Sequence, residues 1–341
     1  MRSFKKALLS TLAVLLCFAL LVAIAVYPYF ACDAFYYQDA SVRQSLAGQF
    51  DLLISGASQG LCSILPKTLD ETLGCTSYNL CGTLEPMKYR YLLLKQEVER
   101  NPVSTVILEL SYDAMTRTRD DSGLELAIYQ LGRLETASQR ISYLCTEVSP
   151  KYYGSILSDT VERGMEVWKK LLRGKLEAPP KLESQGFYPY ANFSPMPDKD
   201  TYQYHRSEGC ILTEPTEENL YYLEQILTLC QRNNIEVIFL AVPTSESFLW
   251  REDNLDVMRQ WYQDTSAKWD CTFYDFNLLK SKLERYPEAT AYADETHMSK
   301  TGAIAFSEDL AMILSMTQKG ENTDDLFYST YEEAIHARFG G

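Results

Sequence analysis

Between Lys6 and Asp33 no residue carries a charge. This run of 26 residues, Ala7 to Cys32, exceeds the roughly 20 apolar residues that span a bilayer. Arg2, Lys5 and Lys6 precede it and Asp33 follows it, so the positive-inside rule directs residues 33–341 out of the cytoplasm. Tyr27, Tyr29 and Phe30 stand where an interfacial aromatic belt would lie. Ala23-Ile24-Ala25 also offers a signal-peptidase site, but the apolar run before it outlasts a usual signal core and continues past it. Cys32 invites a lipoprotein reading, which Tyr29 opposes by occupying a lipobox position that takes an aliphatic residue. The expectation is a single-pass helix in the cell membrane, uncleaved, with the bulk of the chain extracytoplasmic.

Beyond the anchor, composition excludes several classes. Mean hydropathy over the chain is slightly negative, which rules out a multi-spanning protein. Three of the 32 bases precede residue 7, so the remainder sets 29 bases against 46 acids, a net −17. A surface that acidic repels phosphate backbones, and nucleic acid is not an expected partner. The nine cysteines form no C-x-x-C pair and no His stands at zinc-ligand spacing, so a structural metal site is not expected; no organic cofactor is implied either.

Apolar runs bounded by turn residues predict strands over Phe50–Ser55, Ser77–Gly82, Val103–Leu110, Ile235–Val242 and Cys271–Phe276. Helical spacing predicts Glu85–Asn101, Thr216–Asn233, Asn254–Lys268 and Thr301–Met316. This alternation implies an α/β fold with a central parallel sheet of about five strands covered on both faces. An interval of about 100 residues follows the third strand, with helices near 122–147 and 154–173 and then a Pro-, Tyr- and Ser-rich loop. It reads as an insertion capping the sheet. The chain divides on this reading into an anchor over 1–32, a domain over 33–317 with its insertion at about 113–214, and a polar tail over 318–341.

Only His205, His297 and His336 are available to a base-dependent mechanism. His336 lies in the tail and His205 in the insertion. His297 lies in Asp294-x-x-His297 before the last helix, where a carboxylate three residues away can hold one ring nitrogen and leave the other for a nucleophile. Taken alone, such a spacing is more often an exposed salt bridge or a helix N-terminal cap. Ser58, in Gly56-Ala57-Ser58-Gln59-Gly60, directly follows the first strand of the sheet. Such a turn projects the hydroxyl beyond the carboxyl end of the sheet and sets the Ser58 N–H at a helix start. A helix N-cap serine is the plainer alternative. The G-x-S-x-G pattern also matches the α/β-hydrolase nucleophile elbow, but there the elbow follows several strands.

Ser58 after strand one, Gly82 in Tyr78-Asn79-Leu80-Cys81-Gly82 and Asp294-x-x-His297 before the last helix together resemble the SGNH/GDSL hydrolase superfamily, over about residues 50–316. The resemblance implies a three-layer α/β/α, flavodoxin-like fold. It implies a triad of Ser58, His297 and Asp294 and an oxyanion hole from the Ser58 and Gly82 N–H groups. The family's Gly-x-Asn-Asp after the third strand is missing, since Leu108-Glu109-Leu110-Ser111-Tyr112-Asp113 stands there; Ser111 or Tyr112 is the candidate substitute donor. The basic N-terminus, anchor, G-x-S turn, N-x-x-G strand end and D-x-x-H-x-x-x-x-G are similar to extracytoplasmic SGNH-like proteins of envelope acylation, among them the alginate acetylation proteins and the teichoic acid D-alanyl transfer protein. That likeness implies O-acyl transfer to, or deacylation of, an envelope polysaccharide, beside a multi-spanning membrane acyltransferase. A non-catalytic scaffold binding a glycan or that acyltransferase is the alternative. The aromatic segment Phe187–His205 is expected to line the Ser58 cleft, with Tyr188, Tyr190 and Tyr204 as substrate-binding candidates.

Overall fold

The computed structural model describes residues 2–32, 39, 42–83, 85–111, 114–116, 123–175, 185–190, 214–251 and 254–339. The chain forms two compact units, residues 1–45 with 119–182, and residues 46–118 with 183–341.

The second unit holds five strands: β1 Leu52–Ser55, β2 Ser77–Asn79, β3 Thr105–Glu109, β4 Glu236–Ala241 and β5 Thr272–Asp275. They form one parallel sheet in the order β2-β1-β3-β4-β5. Each strand lies within a predicted apolar run, trimmed by one to three residues at one or both ends where the ladder gives way to turns. The strand order reverses between β1 and β3, and in open parallel sheets the crevice at the carboxyl end of such a switch point is where ligands bind.

Numbering helices along the chain, α1 is Arg2–Cys32, α2 Ser58–Ser63, α3 Pro66–Leu73 and α4 Met87–Val98. In the other unit lie α5 Gly123–Arg133, α6 Ala137–Glu147 and α7 Tyr153–Leu172. The sheet unit continues with α8 Glu217–Arg232, α9 Glu246–Arg251, α10 Leu255–Lys268, α11 Lys300–Gln318 and α12 Tyr331–Phe339. On one face of the sheet Leu52, Ile54, Ile107, Ile238 and Leu240 join Leu61, Leu69, Phe306 and Leu310 in a single buried core. The intervening strand residues Leu53, Val106, Leu108 and Phe239 are also buried, and α4 and α8 lie against this other face. Burial on both faces explains why the strands read as continuous apolar runs rather than alternating ones. Each such side chain contributes about 1.5–3 kcal/mol of burial.

The C-terminal residues, read from sequence as a polar tail, pack back on the sheet unit. Arg338 of α12 donates to the Asn277 and Leu279 carbonyls at 2.7 and 3.0 Å and to Glu246 at 3.0 Å, and Lys282 donates to the same carboxylate at 2.7 Å. Polar composition hid this segment because its attachment combines ion pairs with a few scattered buried or half-buried side chains, Phe327, Tyr331 and Ala334.

In the first unit, α1 has a stretch, Leu8–Tyr27, long and apolar enough to cross a membrane by length and composition. Arg43, fully buried, donates to Asp39 at 3.1 Å and to the Arg133 carbonyl at the end of α5 at 2.7 Å. The apolar N-terminal helix and most of the insertion thus belong to one body, an association that linear order does not reveal.

Candidate active site

β1 delivers the chain into a tight turn, Gly56-Ala57, and then into α2, whose first residue is Ser58. The helix N-cap is Ala57, so Ser58 is not a capping serine. Both glycines of the motif have a packing cause. A Cβ on Gly56 would lie 2.5 Å from Glu109 Cβ, and one on Gly60 would lie 2.6 Å from Cys81 Sγ. The far end of α2 is clamped by Ser307 of α11, which donates to the Ser63 carbonyl at 3.1 Å and accepts from the Leu65 N–H at 2.9 Å.

The loop before α11 is equally constrained. Tyr292 and Met298 pair across it, and the Ala293 N–H donates to the His297 carbonyl at 2.8 Å. The cap of α11 is Ser299, which accepts from the Gly302 N–H at 3.2 Å, so neither Asp294 nor His297 is engaged in capping. A Cβ on Gly302 would meet the Ala291 carbonyl at 2.0 Å, which accounts for the glycine five residues after His297.

These two segments converge. Ser58 Oγ lies 2.8 Å from His297 Nε2, and His297 Nδ1 lies 2.9 Å from both oxygens of Asp294. A carboxylate at Nδ1 selects the tautomer with its proton there, leaving Nε2 to accept from the serine hydroxyl. Partial burial works against the Asp294 charge, but bonds from the His297 ring and from the Thr296 and His297 N–H groups outweigh it and hold the carboxyl well below its usual range. Burial pushes the nearby Cys62 thiol up to about 12, leaving it no useful thiolate population at neutral pH.

Tyr190 lies flat on the imidazole of His297, with centroids 4.4 Å apart and planes 6° from parallel. The Tyr188 N–H donates to the Leu61 carbonyl at 3.1 Å, Gln185 donates to Asp70 at 2.8 Å, and Phe187 enters the core. The returning end of the insertion is thereby fixed beside α2. Tyr188 leaves its ring exposed, whereas Tyr190 contacts the histidine itself. Tyr204 and His205 lie outside the described residues, and His336 is exposed on α12.

The expected oxyanion donors are arranged differently. The parallel ladder of β1 and β2 runs past the strand ends, so that the Leu80 N–H donates to Ile54 and the Gly82 N–H to the Gly56 carbonyl at 3.1 Å. In this structure the Gly82 N–H, the expected oxyanion donor, is thus paired with a backbone carbonyl. Its partner in the motif, Asn79, also serves structure, donating to the Gly60 and Ile64 carbonyls at 3.0 and 2.9 Å. Ser111 is held by its backbone, its carbonyl accepting from the Tyr262 hydroxyl at 2.9 Å; Tyr112 lies outside the described residues.

Sequence reasoning missed Glu109. At the end of β3, opposite the switch point, its side chain is fully buried and its Oε2 accepts from the Ala57 N–H at 2.7 Å. Arg90 lies 4.0 Å from that oxygen and donates to the Glu109 carbonyl at 2.5 Å. Desolvation raises the Glu109 pKa, with Arg90 and the Ala57 N–H opposing. The available signal was an acid inside an otherwise apolar strand, which must find a buried partner.

No family model matches the chain, and no curated protein matches it. Matching solved structures include a Streptococcus pneumoniae protein described as a candidate platelet activating factor, with 13% identity, a TM-score of 0.40 and coverage of 82% of this chain and 92% of that one. Another is a GDSL-like lipase from Bacteroides thetaiotaomicron, with 9% identity, a TM-score of 0.37 and coverage of 84% and 98%.

Proposed function

We propose that this chain is a membrane-anchored serine enzyme of the SGNH/GDSL type, acting on acyl esters through Ser58, His297 and Asp294. The observation that carries the reading is the continuous line Ser58 Oγ, His297 Nε2, His297 Nδ1, Asp294, with neighbouring distances of 2.8 and 2.9 Å. Such a line supports the reading because it lets the serine lose its proton as its oxygen bonds to carbon.

In the first step Ser58 Oγ attacks the acyl carbonyl carbon while its proton passes to His297 Nε2. Asp294 stabilises the resulting imidazolium. The Ser58 N–H, one of those a helix start leaves without an internal partner, stabilises the oxyanion. Collapse breaks the ester bond, and the leaving alkoxide takes the proton from His297. In the second step an acceptor hydroxyl gives its proton to His297 and attacks the acyl-serine, which releases the acylated acceptor and restores Ser58. Water as acceptor makes the enzyme an esterase; a sugar hydroxyl makes it an O-acyltransferase. With Gly82 engaged in the sheet the oxyanion hole has few donors, and each missing one costs about 3 kcal/mol at the transition state.

Transfer to an envelope polysaccharide is the finer proposal, with α1 as the membrane anchor and a multi-spanning acyltransferase as the acyl source. Tethering raises the effective concentration at a polymer made on that membrane, which a hydrolase of soluble esters does not need. The test gives the full-length chain p-nitrophenyl acetate as donor and an oligosaccharide acceptor. Gain of one acetyl on the sugar, dependent on Ser58, supports transfer; acetate release that no acceptor diverts assigns an esterase. Absence of any acyl-serine, even with reactive donors, supports the scaffold alternative.

A further inference from the structure

The apolar span does not stand alone in its unit. Pro28 has no N–H, so the carbonyl four residues earlier, that of Ile24, lacks its helical donor. The indole N–H of Trp168 on α7 donates to that carbonyl at 2.9 Å. One turn earlier on α7, Gly164 meets the anchor backbone so closely that a Cβ there would lie 2.0 Å from the Ala25 carbonyl. Close backbone approach through a small residue, with a side chain satisfying an orphaned carbonyl, is how helices pack inside a bilayer.

Depth follows from helix geometry. The span ends at Tyr27, so Ile24 and Ala19 lie about 5 and about 12 Å inside it at 1.5 Å per residue, within a half-bilayer of about 15 Å. Whatever packs on residues 19–26 shares that depth. The surface of α7 suits such a place. Its apolar arc covers roughly half the circumference, but only the flank bearing Ile156, Thr160, Gly164 and Val167 is buried. The other flank exposes Leu157, Met165 and Leu172. Charges occupy the opposite side, including the pairs Asp159–Arg163 and Glu166–Lys169. Between α1, α6 and α7 lies an apolar cavity of about 580 Å³, walled by Ala19, Val22 and Val26 of the span and by Leu144, Ile156 and Leu157.

We propose that α7 lies within the bilayer beside the anchor and that this cavity holds an acyl chain of a membrane lipid. The cavity wall is continuous with the surface of the span, and at that depth lipid hydrocarbon is the solvent. The inference rests on α1 remaining in the membrane.

The full-length chain in phosphatidylcholine nanodiscs, with plain or acyl-brominated lipid, tests it. Trp168 emission is taken as the difference between wild type and Trp168→Phe, and brominated lipid is expected to lower it at least about twofold, as for a side chain buried 5–10 Å in the interface. A phosphatidylcholine with a photoreactive acyl terminus should label peptides within residues 137–172, and Leu144→Trp, which fills the cavity, should reduce that labelling severalfold. Unquenched Trp168 in a nanodisc-bound chain of full mass places α7 in water, or under a protein partner, and overturns the proposal while leaving the anchor intact. Quenching with labelling unaffected by Leu144→Trp overturns the acyl-chain site. A mature chain lacking residues 1–25, or one that nanodiscs do not retain, removes the anchor reading and this inference together.

Discussion

Glu109 Oε2 accepts the Ala57 N–H at 2.7 Å, from the end of the neighbouring strand, and so holds from beneath the turn that aims Ser58 at His297. Gly56 and Gly60 bring the turn close enough for this contact. Burial favours the neutral carboxyl, so the bond needs an acceptor oxygen more than a charge. Glu109→Gln is expected to keep Ser58 reactivity towards a fluorophosphonate within about threefold of wild type, whereas Glu109→Ala, which leaves the Ala57 N–H unpaired at about 1–3 kcal/mol, lowers it tenfold or more. Labelling rates of the two variants at equal folded fraction make the comparison. Equal rates for Glu109→Ala and wild type remove the positioning role.

The stack of Tyr190 on His297 fixes the plane of the imidazole and excludes water from one face. An aromatic pair of this kind contributes about 0.5–1.5 kcal/mol. Tyr190→Phe is expected to react like wild type, and Tyr190→Ala about three- to tenfold more slowly, from the same energy. A requirement for the hydroxyl, seen as a slow Tyr190→Phe, would return Tyr190 to direct contact with substrate.

The strands and the two motifs that converge, around Ser58 and around His297, were readable because each is local. An apolar run such as Ile235–Val242 signals its own burial, and Asp294-x-x-His297 carries its spacing in four residues. What escaped depends on contacts distant in sequence. Glu109 matters through a turn 52 residues earlier, and the stack of Tyr190, already a candidate for the Ser58 cleft, is on a histidine more than 100 residues later. The pairing of α1 with α7 needed Pro28, Gly164 and Trp168 read together, and none of the three is informative alone.

Gly302 supports the histidine loop by allowing α11 to approach the Ala291 carbonyl. Gly302→Ala forces that contact apart, and overpacking of this sort costs about 1–3 kcal/mol. The expected result is a lower melting temperature together with loss of Ser58 labelling, since the displaced loop carries both Asp294 and His297. A variant that melts lower but labels normally would separate the glycine from the site.

Asp275 at the end of β5 is buried, and desolvation raises its pKa to about 7 despite Arg259 and the Asn277 N–H. An acid with a folded pKa above its unfolded value binds its proton more tightly in the native state. Stability from this group is therefore complete below about pH 4 and falls as pH rises towards 7, by roughly 4 kcal/mol in all. Asp275→Asn should flatten that decline while keeping an oxygen for the Tyr331 hydroxyl, which donates to Asp275 at 2.8 Å. Melting curves of both proteins at pH 5 and pH 8 test the sign. A wild-type advantage that grows with pH would contradict it.

The proposed function requires Ser58 to be a nucleophile activated by His297. Incubation of the full-length chain with a fluorophosphonate, followed by peptide mass mapping, tests it most directly. The expected result is one adduct, on the peptide containing Ser58, absent from Ser58→Ala, severely reduced in His297→Ala and partly retained in Asp294→Asn. An adduct that survives Ser58→Ala, or a folded wild-type chain that takes none, would contradict it.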